Sequence, residues 1–472
     1  MGIAVSSWPL ASAVARRGQI GVVSGTGLDL VFARKLQMGD PDGRLRQAMN
    51  HFPIKEMADR VWARYFVSGG KKPSTPFKSK PVPTVCPSRA LLELIVVANF
   101  AEVFLAKTGH DGLVGINLLE KVQIPTLPSL FGSMLAGVDF VLMGAGIPRA
   151  IPAALDHLAA LQPTELKLDV TGAESGEEFL VKFDPREFSP ADLQSLRRPQ
   201  FLAIVSSSTL ASTLARKCTG KVDGFVVEGA TAGGHNAPPR GALVVDEAGE
   251  PVYGPRDIPD LGQIRDLGLP FWLAGSFGKP ERLQEALELG AQGIQVGTAF
   301  AFCEESGILP EIKTQALQLS AEHRARIFTD PLASPTGFPF KVLHMENTLS
   351  EDSVYADRER VCDLGYLREL YRMEGGAIGY RCPGEPTEEY ARKEGDPANT
   401  EGRKCLCNGL LATVGLGQTR KEVPEPPIVT SGDDVANIAQ FLRTGRDSYT
   451  AGEVIDDLLC GLSETPVATP SA

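Results

Sequence analysis

Residues 226–241 read VVEGATAGGHNAPPRG. Two adjacent glycines, Gly233 and Gly234, let a backbone approach a ligand closely or turn where side chains would not fit. His235 follows them on a loop with little bulk, so it is expected to face whatever lies against that loop. An imidazole titrates near neutrality and can take or give a proton there. Glu228 ends the apolar run before the glycines; it can face the ligand or hydrogen-bond a neighbouring loop.

Two further turns suit an anion. The stretch LAGSFGKPERL places Gly275, Ser276 and Gly278 before a helical run, and QVGTAF places Gly297 and Thr298 before another. Backbone N–H groups at such turns bind anions, and Ser or Thr hydroxyls add donors. One such turn is ordinary punctuation, whereas two on successive strand ends point to a phosphate. A third, SGTGLDL at 24–30, lacks the last glycine of a dinucleotide fingerprint and reads as a turn close to a ligand. The last third of the chain holds Cys362, Cys382, Cys405 and Cys407, in RVCDLGY, YRCPGEP and KCLCNGL. Four thiolates could hold zinc or an iron–sulfur cluster, and the alternative is four reduced, partly buried thiols.

The elements that must position these groups alternate. Short apolar, β-branched runs at 19–24, 112–117, 139–144, 166–170, 201–206, 224–229, 270–275 and 293–297 read as strands. Helical stretches such as 151–161, 209–217, 281–289 and 310–323 lie between or after them. This predicts a TIM (β/α)8 barrel over residues 1–325, with its site at the C-terminal strand ends and a phosphate on the last two loops. Residues 29–111 form a helical insertion after the first strand, with a buried amphipathic helix at 90–106 and a loop rich in Lys and Pro. Residues 326–472 are an irregular, Cys-containing C-terminal extension, helical at 366–372 and again after EVPEPP at 422–427. His110 precedes the second strand, at the bottom of the barrel, and reads as structural. Lys121 lies on the catalytic side and reads as a solvated lysine.

The chain of 472 residues has a formal net charge of −11, which argues against a nucleic-acid binder. No stretch reads as a membrane span, no secretory leader is visible and the eight cysteines are scattered, so a reduced, cytoplasmic protein is expected.

Together ASAVARRGQIGVVSGTG, GINLL, VVEGATAGGH, LAGSFGKPERLQEALELGAQGIQVGTAF and the ES at 305–306 resemble the nitronate monooxygenase family. That family includes flavin-dependent enoyl-acyl carrier protein reductases. The resemblance covers about residues 1–310 outside the insertion. It implies a TIM barrel binding FMN non-covalently, the phosphate on Gly275, Ser276, Gly297 and Thr298, with Asn117 close to the flavin. It implies that His235 acts as a base on nitronate-forming substrates or as a substrate-side donor in the reductases. The chain departs from the pattern in AGS where the family has AGG, and in APPRG after Asn236.

Two activities follow from the resemblance. One oxidises a nitronate with dioxygen; the other reduces an enoyl thioester with NAD(P)H, possible partners being an acyl carrier protein and a second copy of the chain. Outside this class stand a non-catalytic binding or assembly subunit and a barrel that takes a sugar phosphate.

Overall fold

The computed structural model describes residues 2–462. At its centre is a seven-stranded parallel sheet of β1 (Gly21–Ser24), β2 (Val114–Leu119), β3 (Phe140–Gly144), β4 (Gln200–Val205), β5 (Gly224–Glu228), β6 (Phe271–Ala274) and β7 (Gly293–Gln295), in that order. Alternation of side chains decides what each face meets. Val23, Ile116, Val141, Phe201, Phe225 and Leu273 pack outward among the helices in the main core. Val22, Leu142, Leu202, Val226, Trp272 and Ala274 point the other way and share one small apolar cluster. Because β1 and β6 both contribute to it, the sheet is curled around a common interior.

Seven of the eight predicted strands are therefore present in the predicted order. The eighth, at 166–170, is corrected: Thr164–Lys167 pairs antiparallel with Leu180–Phe183 in a separate hairpin. Its residues alternate buried and exposed, the pattern of a strand with one wet face, while β2 and β3 are buried on both. The open edge of β1 is instead met by the first residues of the chain. Ser24 N–H donates to Ser6 O at 2.8 Å, Ser6 Oγ to Val22 O at 2.6 Å and Ser24 Oγ to Gly2 O at 2.7 Å. Gly307 N–H, from the chain beyond β7, donates to Val5 O at 2.8 Å.

Residues between β1 and β2 form four helices, α1 (Leu28–Gln37), α2 (Arg44–His51), α3 (Lys55–Tyr65) and α4 (Arg89–Lys107). The long α4 starts on Ser88, whose hydroxyl accepts the Leu91 N–H, and it packs against the other three. It is buried around its circumference, and its carboxylates are engaged: Glu93 pairs with Arg60 and Arg89, and Glu102 accepts the Trp8 N–H at the start of the helix Trp8–Ala15. Among the described residues no helix is long and apolar enough to cross a membrane.

Residues 327–462 are woven onto the sheet's helices and loops. Ile327–Asp330 and Phe340–Leu343 form a hairpin, and the helix Ala451–Leu459 packs on Trp8–Ala15. The predicted helix at 366–372 is a correction: Glu369–Arg372 is a strand, antiparallel to Ile378–Arg381 and parallel to Val170–Thr171. Gly375 and Gly376 explain it, since both take positive φ (88° and 86°) and make the tight turn of a hairpin. A buried polar knot ties insertion and extension together. Lys80 Nζ lies 2.8 Å from Asp29 Oδ2, and Tyr366 Oη donates to Asp29 Oδ1 at 2.7 Å.

Candidate functional site

The C-terminal ends of the curled strands gather most of the residues singled out above. Along β2, Gly115 faces Phe140 and Leu142 of the interior, so Asn117, two residues on, also points inward. By the same alternation Glu228 follows Val226 on β5, and Gln295 follows Gly293, whose added Cβ would touch Trp272, on β7. Three polar side chains thus stand above an apolar floor. Burial raises the Glu228 carboxyl from 4.5 to about 7.

The loop after β5 folds back over this opening. Gly275 has φ +94°, and a Cβ there would lie 2.9 Å from Thr231 Oγ1, so only glycine lets the loops after β5 and β6 meet. Ser276 is also left-handed, at φ +55°. Gly297 has open space where a side chain would sit, and Thr298 begins the short helix Thr298–Ala301. These four residues lie at the ends of β6 and β7.

His235 is placed by the extension. Its backbone bridges Phe340, while Lys341 N–H donates to Gly234 O and Asn236 N–H to Pro339 O at 3.0 and 2.9 Å. Its Nε2 hydrogen-bonds Ser334 Oγ at 2.7 Å, and its ring meets Phe340 edge-on at 4.9 Å. Burial among these groups lowers the imidazole to about 4, so it is neutral at physiological pH.

Sequence reasoning missed what the extension brings to the turns after β6 and β7. A Cβ on Gly233 would sit 2.6 Å from Gly432 N. Gly432 N–H donates to Thr298 Oγ1 at 3.1 Å, Asp433 N–H to Thr231 O at 3.1 Å, and Asp434 Oδ2 accepts the Gly278 N–H at 3.3 Å. Gly234 N–H donates to Thr430 Oγ1 at 3.0 Å. Beside them the buried Ser431 Oγ has no hydrogen-bond partner among the described residues. The only signal was the turn-like TSGDD at 430–434, whose partners lie about ninety to two hundred residues away.

The remaining candidates lie elsewhere. His110 sits below β2, where its Nδ1 accepts the Gly112 N–H and its Nε2 donates to Ala106 O, a structural role. Lys121 reaches Asp169 at 4.0 Å. Of Cys362, Cys382, Cys405 and Cys407, Cys405 and Cys407 pack in one buried cluster, and Cys405 Sγ lies 3.8 Å from the carbonyl of Val361, next to Cys362. Among the described residues, however, no three His, Cys, Asp or Glu side chains stand where one metal ion could join them.

The family model described as nitronate monooxygenase matches residues 160–333, which contain His235 and the turns after β6 and β7. A (3aS,4S,5R,7aS)-5-hydroxy-7a-methyl-1-oxo-octahydro-1H-indene-4-carboxyl-CoA dehydrogenase of Mycobacterium tuberculosis is 27% identical over 231 residues, 46% of this chain and 60% of its own. A "Probable nitronate monooxygenase" of Bacillus subtilis is 32% identical over 133 residues, 28% of this chain and 36% of its own. The chain thus spans between about a third and three fifths of the length of these relatives. The solved FabK of Thermotoga maritima has a TM-score of 0.44 and 14% identity, covering 96% of this chain and 88% of that one. Through residues 160–333, where the glycine loop, His235 and the turns after β6 and β7 lie, the chain is similar to the nitronate monooxygenase family.

Proposed function

We propose that this chain is an FMN-dependent oxidoreductase of the nitronate monooxygenase and enoyl reductase type, and that the curled sheet with its N-terminal segment is a (β/α)8 barrel. The observation that carries the reading is the set of turns at the ends of β6 and β7. Gly275 and Ser276 are left-handed, Gly297 is open, and Ser431, whose backbone lies against Gly233, has a buried hydroxyl without a hydrogen-bond partner among the described residues. A phosphate there would accept from the Thr298 and Ser431 hydroxyls and from the turn amides. These residues fit the terminal phosphate of FMN, with Asn117 and Gln295 on the interior side of the ring. FMN, when bound, supplies the exchange of a hydride or electrons.

The chain's own residues then handle protons and position. Glu228, lifted to about 7, is poised to hold or release a proton at neutral pH, closer to the ideal for acid–base work than His235 at about 4. His235, neutral and fixed by Ser334, orients the substrate as a hydrogen-bonding group. Phe338 and Phe340 beside it keep water away.

Between the two activities, reduction of an enoyl thioester with NAD(P)H is favoured over oxidation of a small nitronate. Leu243, Val244, Val245, Val252 and Ile258 are exposed on the segment that continues from the His235 loop, where a long acyl group would find apolar contact. Tyr253 Oη donates to Ala237 O and holds that segment to the rim. In this reading Glu228 gives a proton to the carbon next to the thioester carbonyl. An acyl carrier protein would deliver such a substrate.

The test begins with the absorption spectrum of protein purified without air and the identity of what heat releases. FMN near one-to-one supports the reading. Reduction by NADPH, followed by reoxidation with a short enoyl thioester faster than with a nitronate and dioxygen, supports the reductase. Failure to bind FMN after reconstitution would leave a binding or assembly subunit.

A further inference from the structure

We propose that the paired hydroxyls of Ser334 and Thr336 fix the tautomer of His235, placing its single ring proton on Nδ1, so that the ring is a hydrogen-bond donor to a carbonyl oxygen of the substrate and not a base for a carbon acid. The substrate class rests on the function proposed above; the tautomer does not.

Burial keeps this imidazole neutral, so one ring nitrogen carries a proton and the other is bare. Among the described residues the ring makes one hydrogen bond, between Nε2 and Ser334 Oγ at 2.7 Å. Ser334 Oγ is therefore the group that decides. The residue is fully buried, and its hydroxyl has three neighbours: His235 Nε2, the Thr336 N–H at 3.2 Å and Thr336 Oγ1 at 2.8 Å. A hydroxyl donates one hydrogen and accepts two. The Thr336 N–H takes one accepting position. When the Thr336 hydroxyl takes the other, the Ser334 hydrogen goes to Nε2, which must then be bare. The reverse order runs from Nε2–H to Ser334 and from Ser334 to Thr336. It leaves the Thr336 hydroxyl hydrogen without an acceptor among the described residues. The first order satisfies both hydroxyls within the fold and leaves the Nδ1–H for a ligand.

The segment that carries the two hydroxyls is held by both signs of charge. Asp330 Oδ1 accepts the Leu332 and Ala333 N–H groups at 2.8 and 2.9 Å. Arg403 Nη1 donates to Leu332 O and Ser334 O at 2.8 and 2.6 Å, and the Gly337 N–H donates to Ser334 O at 3.2 Å. Ser334, Thr336 and Arg403 all lie beyond the stretch that the family model matches.

The tautomer selects the substrate. An Nδ1–H donates to a thioester oxygen as negative charge gathers there, while Glu228 supplies the proton to the adjacent carbon. The imidazole itself neither gains nor loses a proton, and among the described residues no carboxylate hydrogen-bonds it to support a positive charge. A carbon acid such as a nitroalkane needs the opposite, a bare nitrogen that takes its proton.

The experiment uses the full chain as purified, grown with nitrogen-labelled histidine. Two-bond proton–nitrogen NMR near neutral pH shows which nitrogen of each ring is protonated, and His235→Gln identifies the His235 signals by their loss. The expected pattern is a protonated Nδ1 and a bare Nε2; a protonated Nε2 with a bare Nδ1 overturns the proposal. Ser334→Ala should mix the two tautomers, and Ser334→Thr should restore the parent pattern. An unchanged pattern in Ser334→Ala overturns the role of the hydroxyls. Should that variant fail to fold, Thr336→Val keeps the shape, removes one hydroxyl and should also mix the tautomers. In turnover, kcat for an enoyl thioester should fall about tenfold or more in Ser334→Ala with KM little changed, and recover in Ser334→Thr. A chain that binds no FMN after reconstitution overturns the substrate class together with the function above, and the NMR pattern then decides the tautomer alone.

Discussion

Replacing Glu228 with glutamine should flatten the alkaline side of the stability profile. Burial raises this carboxyl from 4.5 to about 7, so the folded chain holds the proton more tightly than the unfolded chain. Between these values the native state binds more protons, and stability falls as pH rises. The contribution is fully present below about pH 4.5 and lost above about pH 7; the gap is worth about 3 kcal/mol at 1.36 kcal/mol per pH unit. Glu228→Gln carries no charge at any pH and escapes this loss. His235 works in the opposite sense. Its imidazole falls from 6.5 to about 4, so the native state binds fewer protons in that window and stability is lost as pH falls through it. Urea midpoints of flavin-free protein at pH 5 and pH 8.5 measure both limbs. Glu228→Gln should gain on the parent by up to about 3 kcal/mol at pH 8.5 and little at pH 5. Parallel profiles for parent and variant would refute the desolvated-carboxylate argument, and with it the choice of Glu228 as proton donor.

Other expectations concern the joints around the site. Ser431→Ala should leave the flavin-free protein as stable as the parent or up to about 1–3 kcal/mol more so, because it removes a buried hydroxyl without a partner among the described residues; FMN titration should nonetheless show weaker binding. Gly233→Ala would put a Cβ 2.6 Å from Gly432 N, so the extension must shift off the phosphate turns; fluorescence titration should show FMN affinity reduced about tenfold or more, roughly 1.4 kcal/mol. Lys80→Met leaves the buried Asp29 carboxylate without its cation, and urea unfolding should show a loss of about 3–5 kcal/mol. Lys80→Met combined with Asp29→Leu should recover part of it, since the uncompensated charge is gone.

The sheet was legible because its strands are buried on both faces. Residues 140–144 and 201–205 are unbroken apolar runs, and the strands form where those runs stand, within one residue at each end. The same criterion misled at 166–170, where LKLDV has β-favouring residues but only one dry face. It also passed over the N-terminal residues, whose short GIAVSS gives no periodicity and whose pairing with β1 runs through two serine hydroxyls. The strand Glu369–Arg372 was hidden for a different reason. Its partners Ile378–Arg381 and Val170–Thr171 define it, and Val170 is two hundred residues away.

The candidate site divides along the same line. Gly275, Ser276, Gly297 and Thr298 announce themselves because each lies directly after a strand, where a turn must leave the sheet and local chemistry fixes its conformation. His235 was also visible, but its expected open face was an inference from two glycines alone. In the fold those glycines make room for backbone: a Cβ on Gly233 would strike Gly432, and Gly234 pairs with Lys341 and Thr430. The neighbour that changes the reading of the histidine is Ser334, ninety-nine positions along the chain. Its hydrogen bond, with the Phe340 ring, makes His235 a buried neutral group and shifts the proton-handling role toward Glu228, which sequence alone left evenly balanced. The extension is therefore part of the site. It packs Ser334 on His235 and Gly432 on Thr298, so under the proposed function a chain cut after the sheet would retain the glycine motifs yet lose the groups that decide what they do.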